Sequence, residues 1–441
     1  MRRYLFAALP AVFAAAVFVG AEPAPLVLTL PDILARAAKD NLDVAAAELE
    51  LEKLHSRYWE ALGSVFPSLS LDANVTHYYR PPLAFMNGAS FVTAKTNVAT
   101  AGLSAEQPLY TGGKVGTAIR TAHDAIHMQE DSTRAARQEA AFAGRRLYYE
   151  VLLTARLADI QKENLDRARD HLATIRKRYD QGVDSDLALR RQEVEEAEAR
   201  SLLLQAENLR DTALLDLKDF LRLDLDLRVE VRGSFDDPKP LLPESQALEK
   251  AALAHRPEVS AAREAVAVRA DLRRLALSEF QPTLAAYGKY QHFIQSSNTD
   301  FTHKDSAEFL AGGLSLHWGL FQGGQDVQRV RQARMDLEEA RLQAEKTERG
   351  VRREVRERRL ALRESAERAG VQREAADHAR LALKSVEARY AAGESGQLEL
   401  NDSTLALNRA RLAEAQALEE YWTGRAAVER AVGIPLEEVQ P

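Results

Sequence analysis

Arg178-Tyr179-Asp180-Gln181-Gly182-Val183-Asp184-Ser185-Asp186-Leu187 reads as the bottom of a long helical hairpin. A seam enters it at Val151, Thr154, Ala158, Gln161, Leu165, Ala168, Leu172, Ile175 and Tyr179, in alternating steps of three and four. That is coiled-coil spacing. Gly182 breaks the helix, and Ser185 or Asp184 is placed to cap the charged helix that leaves. The stretch returns as Arg389-Tyr390-Ala391-Ala392-Gly393-Glu394-Ser395-Gly396-Gln397-Leu398, 211 residues on. The same offset carries the seam onto Leu362, Ser365, Ala369, Gln372, Ala376, Ala379, Leu383, Val386 and Tyr390, its polar position again glutamine. The chain is a duplication.

Of 441 residues none is cysteine, which removes disulfides, thiol catalysis and thiolate metal sites. Arg2 and Arg3, an apolar run to Val19, and Val19-Gly20-Ala21 as cleavage site predict a signal peptide over 1–21. With no cysteine at the cut, a lipid-anchored N-terminus of the lipoprotein type is excluded. The formal charge of −7 argues against nucleic acid as partner. After the signal no apolar run is long enough for a membrane-spanning helix, so a membrane role needs strands.

The pattern is helical from Leu30 to Leu62 and then changes period. Leu69, Leu71, Ala73 and Val75 alternate with Ser70, Asp72, Asn74 and Thr76, a strand with one apolar face. A polar, Gly-containing loop follows, then a second strand over about Val98–Glu106. From Gly113 to Tyr179 there is no proline, which predicts a rod roughly 100 Å long at ~1.5 Å per residue. A compact globule of this size has a radius of gyration near 22 Å, so the rod must project. A return helix runs to about Leu221, and Leu223–Val231 reads as a short strand or an extended connection. The units expected are a first helix–strand–strand–helix repeat over 22–232, a linker over 233–243, a second repeat over 244–435 and a tail over 436–441. Phe66-Pro67-Ser68-Leu69 is echoed by Gln281-Pro282-Thr283-Leu284, and Asn41-Leu42-Asp43 by Arg256-Pro257-Glu258. The second strand pair is expected over Thr283–Ile294 and Glu308–Leu320, the second rod to Tyr390 and its return helix over Leu398–Val432.

Strands of this length suit an outer membrane, where ~9–11 tilted residues cross the bilayer. Four strands cannot close a barrel, and open edges are not tolerated in lipid, so strands must come from further copies. Two, three or four copies all satisfy the count.

The export signal, the doubled unit, Phe-Pro-Ser-Leu before the first strand, Gln-Pro-Leu-Tyr-Thr-Gly-Gly-Lys after the second and Arg-Tyr-x-x-Gly-x-x-Ser at 178–185 resemble the TolC family of outer-membrane efflux proteins. The resemblance covers nearly the whole mature chain. It implies a mainly α fold with a small β portion. Long antiparallel coiled-coil hairpins would form an α-barrel in the periplasm, and four transmembrane β-strands per chain would complete a 12-stranded barrel in a homotrimer. It implies a passive conduit in a tripartite efflux or secretion system, meeting a periplasmic adaptor protein, an inner-membrane transporter and outer-membrane lipid. By the same resemblance the tips at Gly182, Asp184, Ser185, Gly393, Glu394 and Gly396 contact the adaptor. Glu399 and Asp402, three apart on one helix face, match an acidic pair at the closed end of the tunnel, and Tyr390 matches a gate tyrosine. Ser395 stands where the family has a gate arginine, and Asn401 and Arg190 replace hydrophobic neighbours.

Neither a catalytic constellation nor a cofactor site is read. His123 and His127 are one helical turn apart but lack a third metal ligand. Thr111-Gly112-Gly113-Lys114 lacks the spacing of a phosphate loop, and its echo Gln322-Gly323-Gly324-Gln325 lacks the lysine. The competing reading, a periplasmic coiled-coil adaptor or scaffold, uses the rods and leaves the strands without a purpose.

Overall fold

The computed structural model describes residues 25–235, 238, 243–297 and 304–439. The signal peptide and linker positions 236, 237 and 239–242 lie outside the described residues. Two rods dominate, α3 (Lys114–Asp180) and α7 (Gln325–Ala391), each of 67 residues and about 100 Å long. Each starts after paired glycines with positive φ, Gly112 and Gly113 (64° and 88°) and Gly323 and Gly324 (62° and 80°). That is the left-handed region where glycine carries no Cβ penalty. A Cβ on Gly112 would also stand 2.7 Å from Cβ of Gln281, so this junction admits no side chain. Thr111–Lys114 is thus a strand-to-helix joint, with Lys114 held 3.0 Å from Glu279.

The return helices α4 (Asp186–Phe220) and α8 (Gln397–Val432) pack antiparallel on the rods along the two seams. Val151, Thr154, Ala158, Gln161, Leu165 and Ile175 are buried in the first; Leu362, Ser365, Ala369, Ala376, Leu383 and Val386 are buried in the second.

The single helix expected over 30–62 is instead two, α1 (Leu30–Asp40) and α2 (Leu42–Gly63). Asn41 takes an extended backbone, and its Oδ1 accepts from the amides of Asp43 and Val44. It stops one helix and caps the next. The equivalent break falls at Arg256, between α5 (Ser245–His255) and α6 (Pro257–Ser278), where proline at the first helical position cannot continue a ladder. The end of the stretch read as a short strand or extended connection is β6 (Val229–Val231). It pairs in parallel with β1 (Leu26–Leu28), a strand unseen in the sequence, which ties the base of the first unit.

The four long strands form one antiparallel sheet in the order β2 (Ser68–His77), β5 (Asn97–Tyr110), β7 (Thr283–Ser296), β8 (Lys304–His317). The strand expected to stop at Glu106 runs on to Tyr110 through a register shift after Pro108, and the last strand lies a few residues earlier than expected. Register puts Leu69, Leu71, Ala73 and Val75 opposite Ala105, Leu103, Ala101 and Ala99 on one face. That face continues through Tyr290 and Ile294 to Leu310, Leu314 and Leu316. Ser70, Asp72, Asn74, Ser104, Lys289 and Gln291 share the other. Apolar-out and polar-in alternation is the barrel pattern. The loop read as polar between β2 and β5 is a second correction. It contains a hairpin, β3 (Leu83–Met86) and β4 (Ala89–Val92), turned at Asn87-Gly88 with φ of 53° and 80°. Positive φ at both central residues is the hairpin turn that Asn-Gly favours.

The packed core sits halfway along the rods. Leu28, Ile33, Leu147, Val151, Leu217 and Leu221 form one cluster, and Leu248, Val355, Leu362, Tyr421 and Val428 its counterpart in the second unit. Trp422 joins them, stacked on Tyr149 at 5.8 Å between centroids. Burial there raises the phenol of Tyr149 to about 12.

Candidate functional site: the paired helical tips

Both hairpin turns close the same way. The amide of Gly182 donates to Tyr179 O and that of Val183 to Arg178 O; Gly393 donates to Tyr390 O and Glu394 to Arg389 O. The glycines hold φ of 76° and 78°. This is the glycine-terminated helix end that satisfies the last carbonyls of a rod, and it explains why Gly recurs at both places.

The exits differ. Ser185 caps α4 by accepting from the Ala188 amide at 3.2 Å, whereas Gly396, its equivalent by sequence, has no side chain to cap α8. The second tip is held from elsewhere. Ser395 Oγ donates to Glu399 Oε2 at 2.6 Å, and Arg389, at the end of the rod, pairs with Glu399 Oε1. The Ser395 hydrogen bond and the neighbouring Arg389 charge hold this carboxyl below the usual carboxylate range. Leu383, Val386, Leu400 and Leu407 form a small apolar cluster behind the turn. Leu400 is 2% exposed, and its truncation to Ala should cost about 2–5 kcal/mol.

The two tips lie side by side because α3 packs against α8. Arg178 bridges them: its guanidinium pairs with Asp184 at 3.1 Å and lies over the Tyr390 ring at 5.8 Å. Burial raises the Tyr390 phenol pKa, Arg178 opposes this, and Asp184 adds to it. Further up, Gln397 Nε2 donates to Gln192 Oε1 and Asn401 Nδ2 to Glu195 Oε1, at 3.2 and 3.3 Å. Glu195 is pushed up by burial and by Glu198, with Asp402 adding to the shift. Above these, buried Asn408 approaches buried Gln161 at 3.5 Å.

The structure therefore brings Tyr390 and Asp184 together through Arg178, and separates the roles of the acidic pair. Glu399 is engaged by Arg389 and Ser395, while Asp402 is exposed and has no ion-pair partner among the described residues. Glu394 is exposed at the turn. Sequence reading passed over Arg178, Arg389 and Ser395 as contacts. The doubled Arg-Tyr dipeptide at both rod ends was the available signal. His123 and His127 touch ring to ring at 4.6 Å, and His127 meets Glu130 at 3.0 Å. Among the described residues no group of three or more His, Asp or Glu is arranged to hold a metal.

No functionally curated protein matches the chain significantly by sequence. Solved structures match its fold. The CmeC outer membrane channel of Campylobacter jejuni superposes with a TM-score of 0.77 at 16% identity, covering 92% of this chain and 85% of that one. The outer membrane protein VceC of Vibrio cholerae gives 0.75 at 17%, covering 92% and 96%. The MtrE outer membrane channel of Neisseria gonorrhoeae, in its open state, gives 0.72 at 18%, covering 93% and 91%. The family profile described as outer membrane efflux protein matches residues 33–221 and again 248–434, one match for each copy of the duplicated unit. On that match the chain belongs to the outer membrane efflux protein family.

Proposed function

We propose that this outer membrane efflux channel works as a homotrimer whose paired tips form both the inner gate and the docking surface for a periplasmic adaptor coupled to an inner-membrane transporter. The channel lies in the outer membrane with its helical part in the periplasm, and conducts solute without chemistry of its own. The observation that carries the oligomer is the four-stranded sheet, whose edges β2 and β8 have no strand beside them among the described residues. The number three follows the family resemblance, not the strand count. An open edge in lipid leaves a row of backbone groups unpaired, which costs several kcal/mol per group. Three copies supply twelve strands. The adaptor-facing residues are Gly182, Asp184, Ser185, Gly393, Glu394 and Gly396, at the ends of the rods away from the sheet. Tyr390, Glu399 and Asp402 line the aperture in this reading. Mass measurement on detergent-extracted protein tests it: three chains per particle are expected, and a stable water-soluble monomer would overturn it.

A further inference from the structure

In every layer of the chain the elements follow one lateral order. Near the tips it is α4, α3, α8, α7; nearer the sheet it is α2, α3, α6, α7; in the sheet it is β2, β5, β7, β8. One flank of the protomer is thus β2, α2 and α4, and the opposite flank is β8 and α7.

The α7 flank carries a second seam. Met335, Leu342, Lys346, Arg349, Arg353 and Leu360 recur in steps of seven, four, three, four and seven. They lie half a turn away from Val351, Val355 and Leu362, which pack into the chain's own core. Met335, Leu342 and Leu360 are 53%, 68% and 62% exposed. A helix with seams on opposite sides needs neighbours on both. Within its own chain α7 meets α5, α6 and α8, whose Leu248, Val259, Tyr421 and Val428 join Val351, Val355 and Leu362. The stripe on the far side stays exposed. At Gly350 the stripe opens into a shallow groove of about 520 Å³ lined by Leu342, Glu345, Lys346, Arg349, Gly350 and Arg353. Arg349 and Arg353 are 76% and 78% exposed, and each meets only a glutamate one turn away on its own helix. Exposed pairs of that kind fix a side chain weakly.

The opposite flank offers the complement at the same height. By the repeat offset, Gly350 is level with Glu139 of α3, beside Ala140, which clusters with Val44 and Phe220. The start of α2 and the end of α4 are therefore at this level. There the flank exposes Leu42, Asp43, Leu215, Asp216 and Asp219. No ion pair to any of these three acids occurs among the described residues.

We propose that the arginine-bearing groove of α7 receives the α2–α4 junction of the adjacent copy, with Arg349 and Arg353 facing Asp216 and Asp219. The inference rests on the trimeric reading above and names its seam. The contact is heterologous, one flank on the other, and closes into a ring by rotation. Apolar residues on both flanks are covered, and each copy contributes one basic and one acidic side.

The test is charge reversal in both directions on the full-length, detergent-extracted protein. The double variant Arg349→Glu, Arg353→Glu should lower the trimer's resistance to dissociation about tenfold or more, since like charges then face each other. Adding Asp216→Arg and Asp219→Arg to the same chain should restore it, because every copy carries both flanks. Circular dichroism shows whether each variant remains helical. A reversal that leaves the trimer intact, or a helical quadruple variant that stays dissociated, overturns the seam. Cysteines at Arg349 and Asp219, in a chain with none of its own, should give a covalent trimer with a short bismaleimide only when both are present. A wild-type monomer would overturn the trimeric reading itself, whereas a wild-type trimer indifferent to these changes overturns only this pairing.

Discussion

The guanidinium of Arg178, at the end of the first rod, lies 5.8 Å from the centre of the Tyr390 ring at the end of the second. The same guanidinium holds Asp184 at 3.1 Å. One side chain therefore joins the two hairpins at the point where, in the proposed gate, they must separate. A cation over an aromatic ring contributes about 0.5–1 kcal/mol at an exposed site and about 2 kcal/mol when desolvated. This ring is half-buried, and the ion pair, with Asp184 only 18% exposed, adds on the order of 1 kcal/mol. These magnitudes suit a contact that opens, not one that locks.

Arg178→Ala should accordingly raise spontaneous opening of reconstituted channels several-fold, and Tyr390→Ala should do the same. Made together they should add less than the sum, because both remove one contact. Single-channel recordings of the four proteins check this. Full additivity would mean that the two residues act separately.

The second tip predicts a dependence on acid. Ser395 and Arg389 hold Glu399 below its ordinary value of 4.5. A lowered carboxyl contributes fully above the unfolded-state value and is lost as pH falls through the folded one. Closure should therefore be independent of pH near neutrality and weaken progressively below about pH 4.5. Ser395→Ala should leave that onset in place but shrink the loss below it, because the folded carboxyl then titrates nearer its ordinary value. Conductance recorded against pH in wild type and variant decides it, and an equally large loss in the variant would show that the hydrogen bond does not set the titration.

Much of this was legible. The seam from Val151 to Tyr179 and its copy fixed two rods whose bounds agree with the structure to one or two residues, because heptad spacing and a glycine stop are local signals. The break at Asn41 was hidden by helical periodicity that continues through it: a cap shows only in the backbone turn and in the amides of Asp43 and Val44. Of the β1–β6 pair, β6 falls in the alternating stretch Leu223–Val231, whereas β1, three residues long, is too short for alternation to appear and its partner is some two hundred residues away. The hairpin at Asn87-Gly88 had its signal in plain view, with apolar residues on both sides. Arg178 over Tyr390 depends on two hairpins packing side by side, which neither repeat specifies alone.

Docking should follow the turns. Asp184 and Glu394 stand at the ends of rods about 100 Å long, the farthest points from the sheet along the helices. Cysteines at either position should crosslink to a co-expressed adaptor and resist labelling by an impermeant reagent from outside intact cells. Labelling from outside would reverse the topology. Asp184→Cys also removes the Arg178 partner, so Glu394→Cys is the cleaner probe of position.

The aperture is where the structure divides two carboxylates that the sequence presents as a pair. Glu399 faces Arg389 on its own chain, so its charge is largely neutralised locally. Asp402, three residues on and exposed, has no cation paired with it among the described residues. In the proposed trimeric aperture its three copies would gather around one axis. Like charges there repel and attract counter-ions, and their field is screened within about 8 Å at physiological salt. Asp402 should therefore set the ion preference of the closed or narrow pore. Asp402→Ala should reduce cation selectivity and weaken block by divalent cations added from the periplasmic side. Glu399→Ala should change selectivity less but loosen the second tip, since Arg389 and Ser395 both lose their partner. Planar-bilayer reversal potentials and block curves for the two variants separate the roles. Equal effects on selectivity would restore the pair as a single ring, and no effect from either would place both on an ordinary solvated face.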